Sequence, residues 1–480
     1  MIGYIFLAVG VALLLLAMVV IVRTLLFTVK QTDSREYESF DIETDKAVND
    51  LAEMIKCKTV SSVNKSEEDE AEFDKFKELL PKLFPNIHRE CALETVGNRG
   101  LLYHLKGKSS DSPTVLMAHF DVVSVDEANW EKPPFDAVLE DGVLWGRGAL
   151  DTKATLNGAM QALEKLLNEG FVPKNDIYLA FAGDEEVNGS GAPMIVDIFE
   201  KRGITPGVVV DEGGAVVQKV FPGVSEPCAL IGIGEKGMLN LEFSYSGNGG
   251  HASSPKPHTP VGILSAACVR VEGHPFKFRI TKPAKEMFNV LARHSSFAYR
   301  MIFANLWLFK GVLNMICKKS GGELNALMRT TCAFTQMEGS KGMNVIPPNA
   351  KMVANLRLLE GDTTESAIQY VSKVVDNKEV RITKINGMNP SRVSSSECEA
   401  WKRVTNAVSG TWQDAIVSPY LMVACSDSRH WGRLSDRVYR FSAMSMTNEE
   451  RATIHGNNER ITVGAIEKTV EFYLRLISNS

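Results

Sequence analysis

The chain has no CxxC pair. Its eight cysteines, at positions 57, 91, 228, 268, 317, 332, 398 and 425, are scattered. That spacing suits neither a zinc ribbon nor a dense disulfide framework, and leaves most of them as small buried hydrophobes. The chain also lacks an HExxH helix, a GxSxG nucleophile elbow and a P-loop, so three common catalytic or nucleotide-binding devices have no local signature. It has no excess of positive charge, and a net charge of −5 argues against nucleic acid as a partner. No internal repeat or low-complexity segment is present, which excludes solenoid architectures. One GxGxxG string, Gly232 to Gly237, does occur. A dinucleotide loop must open a helix, whereas Leu239, Leu241, Phe243 and Tyr245 alternate as in a strand, so that reading fails.

What is present begins with an apolar run. Residues 2–22 carry no charged side chain, and Leu25, Leu26 and Phe27 extend the run. This length suffices to cross a bilayer, which needs roughly 20 apolar residues. A cleaved signal peptide is the rival reading, but no basic residue precedes the run and no A-x-A-like site follows it. The expectation is therefore an uncleaved anchor over 1–27, then a polar stalk over 28–45. Arg23, Lys30 and Arg35 follow the span, and the positive-inside rule then puts the main body on the cytoplasmic side. The sequons at Asn64 and Asn188 would matter only in a secretory lumen.

At 480 residues the chain is too long for one core. Helical spacing is predicted over 46–57, 67–83, 154–168 and 192–202, and strand-like runs over 100–105, 114–118, 177–182 and 208–210. This alternation points to an α/β sheet of mostly parallel strands. Alternating segments at 238–245, 330–336 and 351–358, with a helix at 261–271, predict a smaller inserted α+β unit. The last hundred residues return to helix-plus-strand patterning, so the first domain is discontinuous. Residues 297–317 are apolar with only Arg300 and Lys310 inside. A buried helix is the default there; a greasy substrate wall or a face resting on a bilayer is the sharper alternative.

Seven residues sit where apolar runs break into polar loops: His119, Asp121, Asp151, Glu185, Glu186, Asp211 and His455. Ligands of parallel sheets collect at such strand ends. Hydrolysis assisted by two metal ions needs this inventory: carboxylates, imidazoles and a spare carboxylate to move protons. In an extended segment Asp121 faces the same side as His119 and can orient its ring. The adjacent Glu185 and Glu186 repel each other, which a merely structural loop has little reason to accept. Taken singly, each has a plain reading too. DEE strings are common on surfaces, and Asp151 before a helix is most simply an N-cap. His251 after two glycines is most simply a turn residue.

In order, the motifs MAHFDVV, W…PPF, GRGALDTK, DEE, VDEGG, GGHASSP, NVIPPNA, SDSR and IHGNNE resemble the di-zinc metallopeptidase family of aminoacylase, Gly-X carboxypeptidase, acetylornithine deacetylase and succinyl-diaminopimelate desuccinylase. The branch of Gly-X carboxypeptidase and N-fatty-acyl-amino-acid hydrolase/synthase is the most similar. The resemblance covers residue 46 to the C-terminus. It implies a three-layer α/β catalytic domain over 46–234 and 391–480, with an inserted ferredoxin-like lid and dimerisation domain over 235–390. It implies two Zn2+ per chain, with His119, Asp151, Glu186, Asp211 and His455 as ligands. The pair Asp211-Glu212 leaves two candidates for one ligand, of which this branch uses the Asp. Glu185 would be the general base, Asp121 the orienter of His119, and the bond after Asp151 cis. His251 would reach the oxyanion from a partner subunit, and Asn344, Arg357 and Arg429 would meet the substrate. The implied activity is amide hydrolysis of N-acyl amino acids or short peptides, with a Gly-X carboxypeptidase as one alternative and an inactive anchored binding protein as another. By family analogy the site faces the lumen or the outside, against the charge count.

Overall fold

The computed structural model describes residues 1–29 and 37–480. Lys30, Arg35 and the first part of the expected stalk lie outside the described residues. Helix α1 (Ile2–Leu26) is long and apolar enough to cross a membrane, a property that anchors and signal sequences share. Helices α2 (Thr44–Ile55) and α3 (Glu70–Leu83) follow, close to the predicted spans.

Six strands then build most of a large sheet: β1 (Ala92–Val96), β2 (Gly100–Leu105), β3 (Ser109–His119), β4 (Asn175–Ala182), β5 (Val208–Val217) and β6 (Cys228–Glu235). The chain leaves to form a second sheet from β7 (Gly237–Ser246), β8 (Thr331–Glu338), β9 (Asn349–Leu358) and β10 (Arg381–Met388), then returns with β11 (Ile416–Met422) and β12 (Val438–Met446). The large sheet runs β1-β2-β4-β3-β5-β12-β6-β11 and the small one β8-β9-β7-β10. Its centre is parallel, as β4 and β5 both pair with β3 in that sense. The β1–β2 and β2–β4 pairings are antiparallel. The sheet is thus mixed rather than mostly parallel: β1 and β2 form a hairpin, and β2 lies antiparallel beside β4, which is not its neighbour in the chain.

Strand β3 shows why the sheet is covered on both faces. Val115 and Met117 enter one apolar cluster, Leu116 and Ala118 the other, as a period of two requires. On one face lie α4 (Lys153–Asn168) and the C-terminal helix (Val463–Ser478); on the other lies α5 (Gly191–Arg202), whose Ile195, Val196 and Phe199 are buried. The resulting three-layer α/β architecture is the expected one. Gly232 and Gly234 lie within β6 and Gly237 starts β7, so no helix opens after the GxGxxG string.

Two departures from expectation concern the segment between the sheets. Helix α6 (Pro260–Gly273) packs on the small sheet, with Leu264, Ala267 and Val271 in its core. Residues 284–328, however, contribute Met287, Phe288, Leu291, Phe303, Leu313 and Met328 to the core of the large body. And 297–317 is not a buried helix. It forms α7 (Phe297–Ala304) and α8 (Leu306–Ser320), bent by 111° at Asn305, with Trp307 and Met315 more than half exposed. A short helix, α9 (Gly322–Met328), follows directly.

Candidate metal centre and active site

His119 ends β3 and lies in register with Ala182 at the end of β4. The turn after β4 then carries Glu185 and Glu186 into the same corner. Asp151 stands before α4, but it does not cap that helix: the N-cap is Thr152, with no side-chain capping bond. The Asp151 carboxylate instead lies between two imidazoles. Its Oδ1 is 3.0 Å from His119 Nε2 and its Oδ2 is 3.0 Å from His455 Nε2. Glu186 Oε2 is 3.1 Å from the same His455 nitrogen. The Asp151–Thr152 peptide is cis, as the resemblance implied, and His455 has a left-handed backbone (φ 58°).

This corner fits divalent cations. Donor atoms of His119, Asp151 and Glu186 all lie within 4.8 Å of one another, as do those of His119, Glu185 and Glu212. Glu186 Oε1 is buried without a hydrogen-bond partner, a cost that an ion would remove. Oxygen and imidazole donors suit zinc among other divalent metals.

The second cluster bears on the open choice between Asp211 and Glu212. Asp211 does not belong to it. Its Oδ2 accepts the Ser428 N–H at 2.8 Å, whereas Glu212 Oε1 stands 3.6 Å from His119 Nε2. The reason is that β5 does not stop at residue 210 but runs through to Val217. The ladder to β12 is irregular at this point, Arg440 pairing with Asp211 and Phe441 with Gly214, and there the Glu212 carboxylate is the one that comes within 3.6 Å of His119.

Asp121 also works differently from expectation. The acceptor nearest His119 Nδ1 is the Asp121 backbone carbonyl at 2.9 Å; its carboxylate is 3.4 Å away. The carboxylate accepts the N–H groups of Glu185 and Glu186, both at 3.1 Å, and the Ser61 hydroxyl at 2.7 Å. One residue thus orients the histidine through its main chain and the glutamate turn through its side chain. Glu459 does similar work on the other side. Buried, it accepts the N–H groups of Gly148, Leu150 and Asp151 and pairs with Arg147 at 2.7 Å. Sequence reasoning assigned no role to Glu459 or Ser61. The one available signal was Glu459 closing the IHGNNE motif.

The electrostatics follow from packing carboxylates away from water. Burial pushes the Glu185 carboxyl well above its usual range, with His119 opposing. Burial likewise raises Glu186, against its bond from His455, and takes Asp211 up to about 6. At Asp151 burial is outweighed by the two histidine bonds, which hold its carboxyl below the usual range. The bonds from Asp151 and Glu186 raise His455 to about 10. Burial disfavours a charged His119, yet Glu212, Asp121 and Asp151 overcome it and hold its pKa well up. The corner demands positive charge.

A cavity of about 360 Å³ opens from these donors. Asp151, Glu185, Glu186, Glu212 and His455 line it, and Val217, Leu230, Met422, Met446 and Ile454 supply an apolar wall. Gly214 is needed in that wall, since a Cβ there would lie 1.8 Å from the Leu230 carbonyl oxygen. Of the expected substrate contacts, Arg357 is half-buried, and its Nη1 donates to the sulfur of Cys425, a lining residue, at 3.2 Å. Arg429 donates to the Lys236 carbonyl at 3.1 Å and lies 3.8 Å from Glu235. His251 and Asn344 are not brought in. They are exposed on a two-residue ribbon that pairs Gly250–His251 with Val345–Ile346, and the Ala252 N–H donates to the Asn344 carbonyl at 3.0 Å. Neither lines the cavity.

Comparison with known proteins gives the family and the fold. The model of peptidase family M20/M25/M40 matches residues 115–479. A probable carboxypeptidase S-like 2 of Dictyostelium discoideum is 33% identical over 99% of this chain and 93% of its own length. An N-fatty-acyl-amino acid synthase/hydrolase of Xenopus tropicalis is 34% identical over 98% of this chain and 94% of its own. An M20 family metallo-carboxypeptidase from Sulfolobus solfataricus has the same fold, with a TM-score of 0.66 at 19% identity over 90% of this chain and 98% of that one.

Proposed function

The chain belongs to peptidase family M20/M25/M40, a metal-dependent enzyme family, and from that premise we propose a membrane-anchored amidohydrolase that cleaves N-acyl amino acids carrying a free carboxylate. The observation that carries the reading is the cavity, whose lining combines the donor corner and Glu185 with an apolar wall. An acyl chain suits the wall and an amide the corner.

In this reading His119, Asp151, Glu186, Glu212 and His455 would hold two zinc ions. Bound there, they supply Lewis-acid polarisation and a more acidic water. Glu185 takes the proton of the attacking water and delivers it to the leaving nitrogen. Its burial suits both halves of that task, because a raised pKa lets one carboxylate act first as base and then as acid. Asp121 fixes the turn that aims Glu185. Arg357 holds the substrate carboxylate, with Arg429 behind it, and charge-assisted pairing favours a guanidinium for that role. His251 and Asn344, exposed in one chain, serve the active site of a second copy through the small sheet. The same reading divides the chain into 46–234 and 391–480 around an inserted 235–390, of which residues 284–328 pack back on the large body, with 1–27 as an anchor rather than a leader. Docking of the end of α1 on the body supports the anchor: Asn305 Nδ2 donates to the Val20 carbonyl at 3.2 Å.

A substrate panel tests the reading. N-oleoyl, N-acetyl and glycyl derivatives of one amino acid should rank in that order of kcat/KM. Preference for the glycyl dipeptide would instead favour a Gly-X carboxypeptidase, which the carboxypeptidase S-like relative makes the second reading. No turnover of any of them would sink both.

A further inference from the structure

Helices α7 and α8 are the largest feature that the proposed reaction leaves unused. Their chemistry is unlike that of a water-facing surface. Residues 287–322 contain no Asp or Glu but five cations: Arg293, Arg300, Lys310, Lys318 and Lys319. The same stretch leaves Phe297, Trp307, Leu308, Val312, Met315 and Ile316 between 40% and 63% exposed. Four of these (308, 312, 315 and 316) recur at helical spacing and form one stripe along α8. An exposed apolar stripe with an aromatic and a wholly basic surround is the composition of a helix lying in a bilayer interface. The 111° bend at Asn305 separates the two helices, so they do not form one straight span.

A second observation fixes what covers this face. The 25 residues of α1 extend about 37 Å, against roughly 30 Å of bilayer hydrocarbon. The excess of about 7 Å lets roughly its last five residues emerge among the headgroups, and the stretch from Val20 to Phe27, which spans that boundary, grips the α7–α8 corner. Val20 and Thr24 are the buried residues of α1. Asn305, fully buried, donates to the Val20 carbonyl and the Thr24 hydroxyl, both at 3.2 Å. Arg23 donates to the Ala304 carbonyl at 3.1 Å, and the Arg293 guanidinium sits over Phe27, 4.2 Å from its ring centre. The apolar stripe is thus continuous with a helix of membrane-spanning length, at the depth where headgroups lie.

We propose that α7 and α8 lie in the headgroup zone of the bilayer that α1 crosses, with the stripe at the acyl boundary and the exposed Lys310, Lys318 and Lys319 on lipid phosphates. This rests on reading α1 as an anchor. The seat brings the bilayer close to the active site, because α9 links α8 to the cavity. Glu323 on α9 accepts the Tyr420 hydroxyl at 2.8 Å and lies 3.5 Å from Arg451, and both of those residues line the cavity. An amphiphilic substrate dissolved in the lipid meets the enzyme at the bilayer face nearest its apolar wall.

Trp307 makes the proposal testable in the full chain, because α1 contains no tryptophan. The protein is placed in vesicles of phosphatidylcholine and phosphatidylglycerol whose acyl chains are brominated either near the headgroup or near the chain end. Near-headgroup bromine should quench tryptophan emission more strongly. Trp307→Phe should lose most of that quenching, and Met315→Trp on that background should restore it. Equal quenching in wild type and Trp307→Phe would overturn the proposal, as would stronger quenching by chain-end bromine, which would mean a deeply inserted hairpin. Flotation after an alkaline carbonate wash reports on α1 separately. A chain that fails to float overturns the anchor and the proposal together, whereas one that floats without quenching at Trp307 overturns the proposal alone.

Discussion

At the ends of β3 and β4, candidate site residues crowd together inside one chain. On the small sheet they stand apart in the open. His119, Asp121 and Glu459 are buried, and Asp151, Glu185, Glu186 and Glu212 half-buried, and Asp121, Asp151, Glu186 and Glu459 each accept from main-chain N–H groups or a neighbouring side chain. His251 and Asn344 are exposed, and the His251 ring meets only the nearby Ser253 among the described residues, at 2.7 Å. The two regions differ in what they cost. Desolvated carboxylates are expensive unless a counter-charge arrives, so the first region makes sense only as a finished binding site for cations. His251, unlike the likewise exposed His455 with its two carboxylates, meets no charged partner among the described residues, so in the proposed reading the second is half of a site that another surface completes.

The sharpest way to break that contrast is at Glu185. Glu185→Gln should slow turnover by about 10²- to 10⁴-fold, the usual worth of a general base, while elemental analysis still finds two metals per chain. Near-normal turnover would remove the base from the corner, and loss of metal would make Glu185 a ligand instead. Next in size is the comparison of Glu212→Gln with Asp211→Asn. The first should weaken metal binding at the His119 side by at least about 10- to 100-fold, beyond the effect of losing an outer partner, and leave one tightly held ion per chain. The second should retain both ions. The reverse pattern would restore Asp211 as the ligand.

That pair of residues also marks where sequence stops being informative. The strand-end positions of His119 and Glu185 are legible because apolar runs of the right length end there, and β2 occupies the predicted 100–105. The choice between Asp211 and Glu212 is not, because it depends on whether the strand ends or continues, and the glycines after it hide the continuation through Val217. Asp151 as cap or bridge is equally undecidable by spacing, since both roles place an Asp before a helix; only the two histidines at 3.0 Å separate them. Residues 297–317 were expected to be buried because apolar content does not distinguish a protein interior from a lipid surface. Glu459 escapes notice because a carboxylate bonded to main-chain N–H groups leaves no pattern in sequence.

For the exposed half-site, complementation asks whether a second copy supplies what is missing. His251→Ala and Glu185→Gln chains should each be nearly inactive alone. Mixed in equal amounts and allowed to exchange, they should recover about one quarter of wild-type activity. In a two-fold dimer half the pairs are mixed, and each mixed pair has one site with both residues intact. Failure to recover, with exchange demonstrated, would make the small sheet irrelevant to catalysis and dissolve the contrast.

The smallest expected effect lies where the two regions meet. Arg357 belongs to β9 of the small sheet yet reaches Cys425 on the cavity wall. Its other partner is the Asn355 side chain, 3.2 Å from Nε, so no carboxylate claims it. Arg429 is already committed, facing Glu235 and the Lys236 carbonyl. A substrate carboxylate should therefore find Arg357 first. Losing a charge-assisted hydrogen bond costs about 1.5–3 kcal/mol, so Arg357→Gln should raise KM about 10- to 100-fold and leave kcat nearly unchanged. Arg357→Lys should recover only part of that, since an ammonium keeps the charge but not the two-pronged geometry. Arg429→Gln, by contrast, should lower stability more than affinity, because it leaves the buried Glu235 with one partner fewer. If Arg429→Gln raised KM and Arg357→Gln did not, the small sheet would contribute to the active site only across the dimer and not within its own chain.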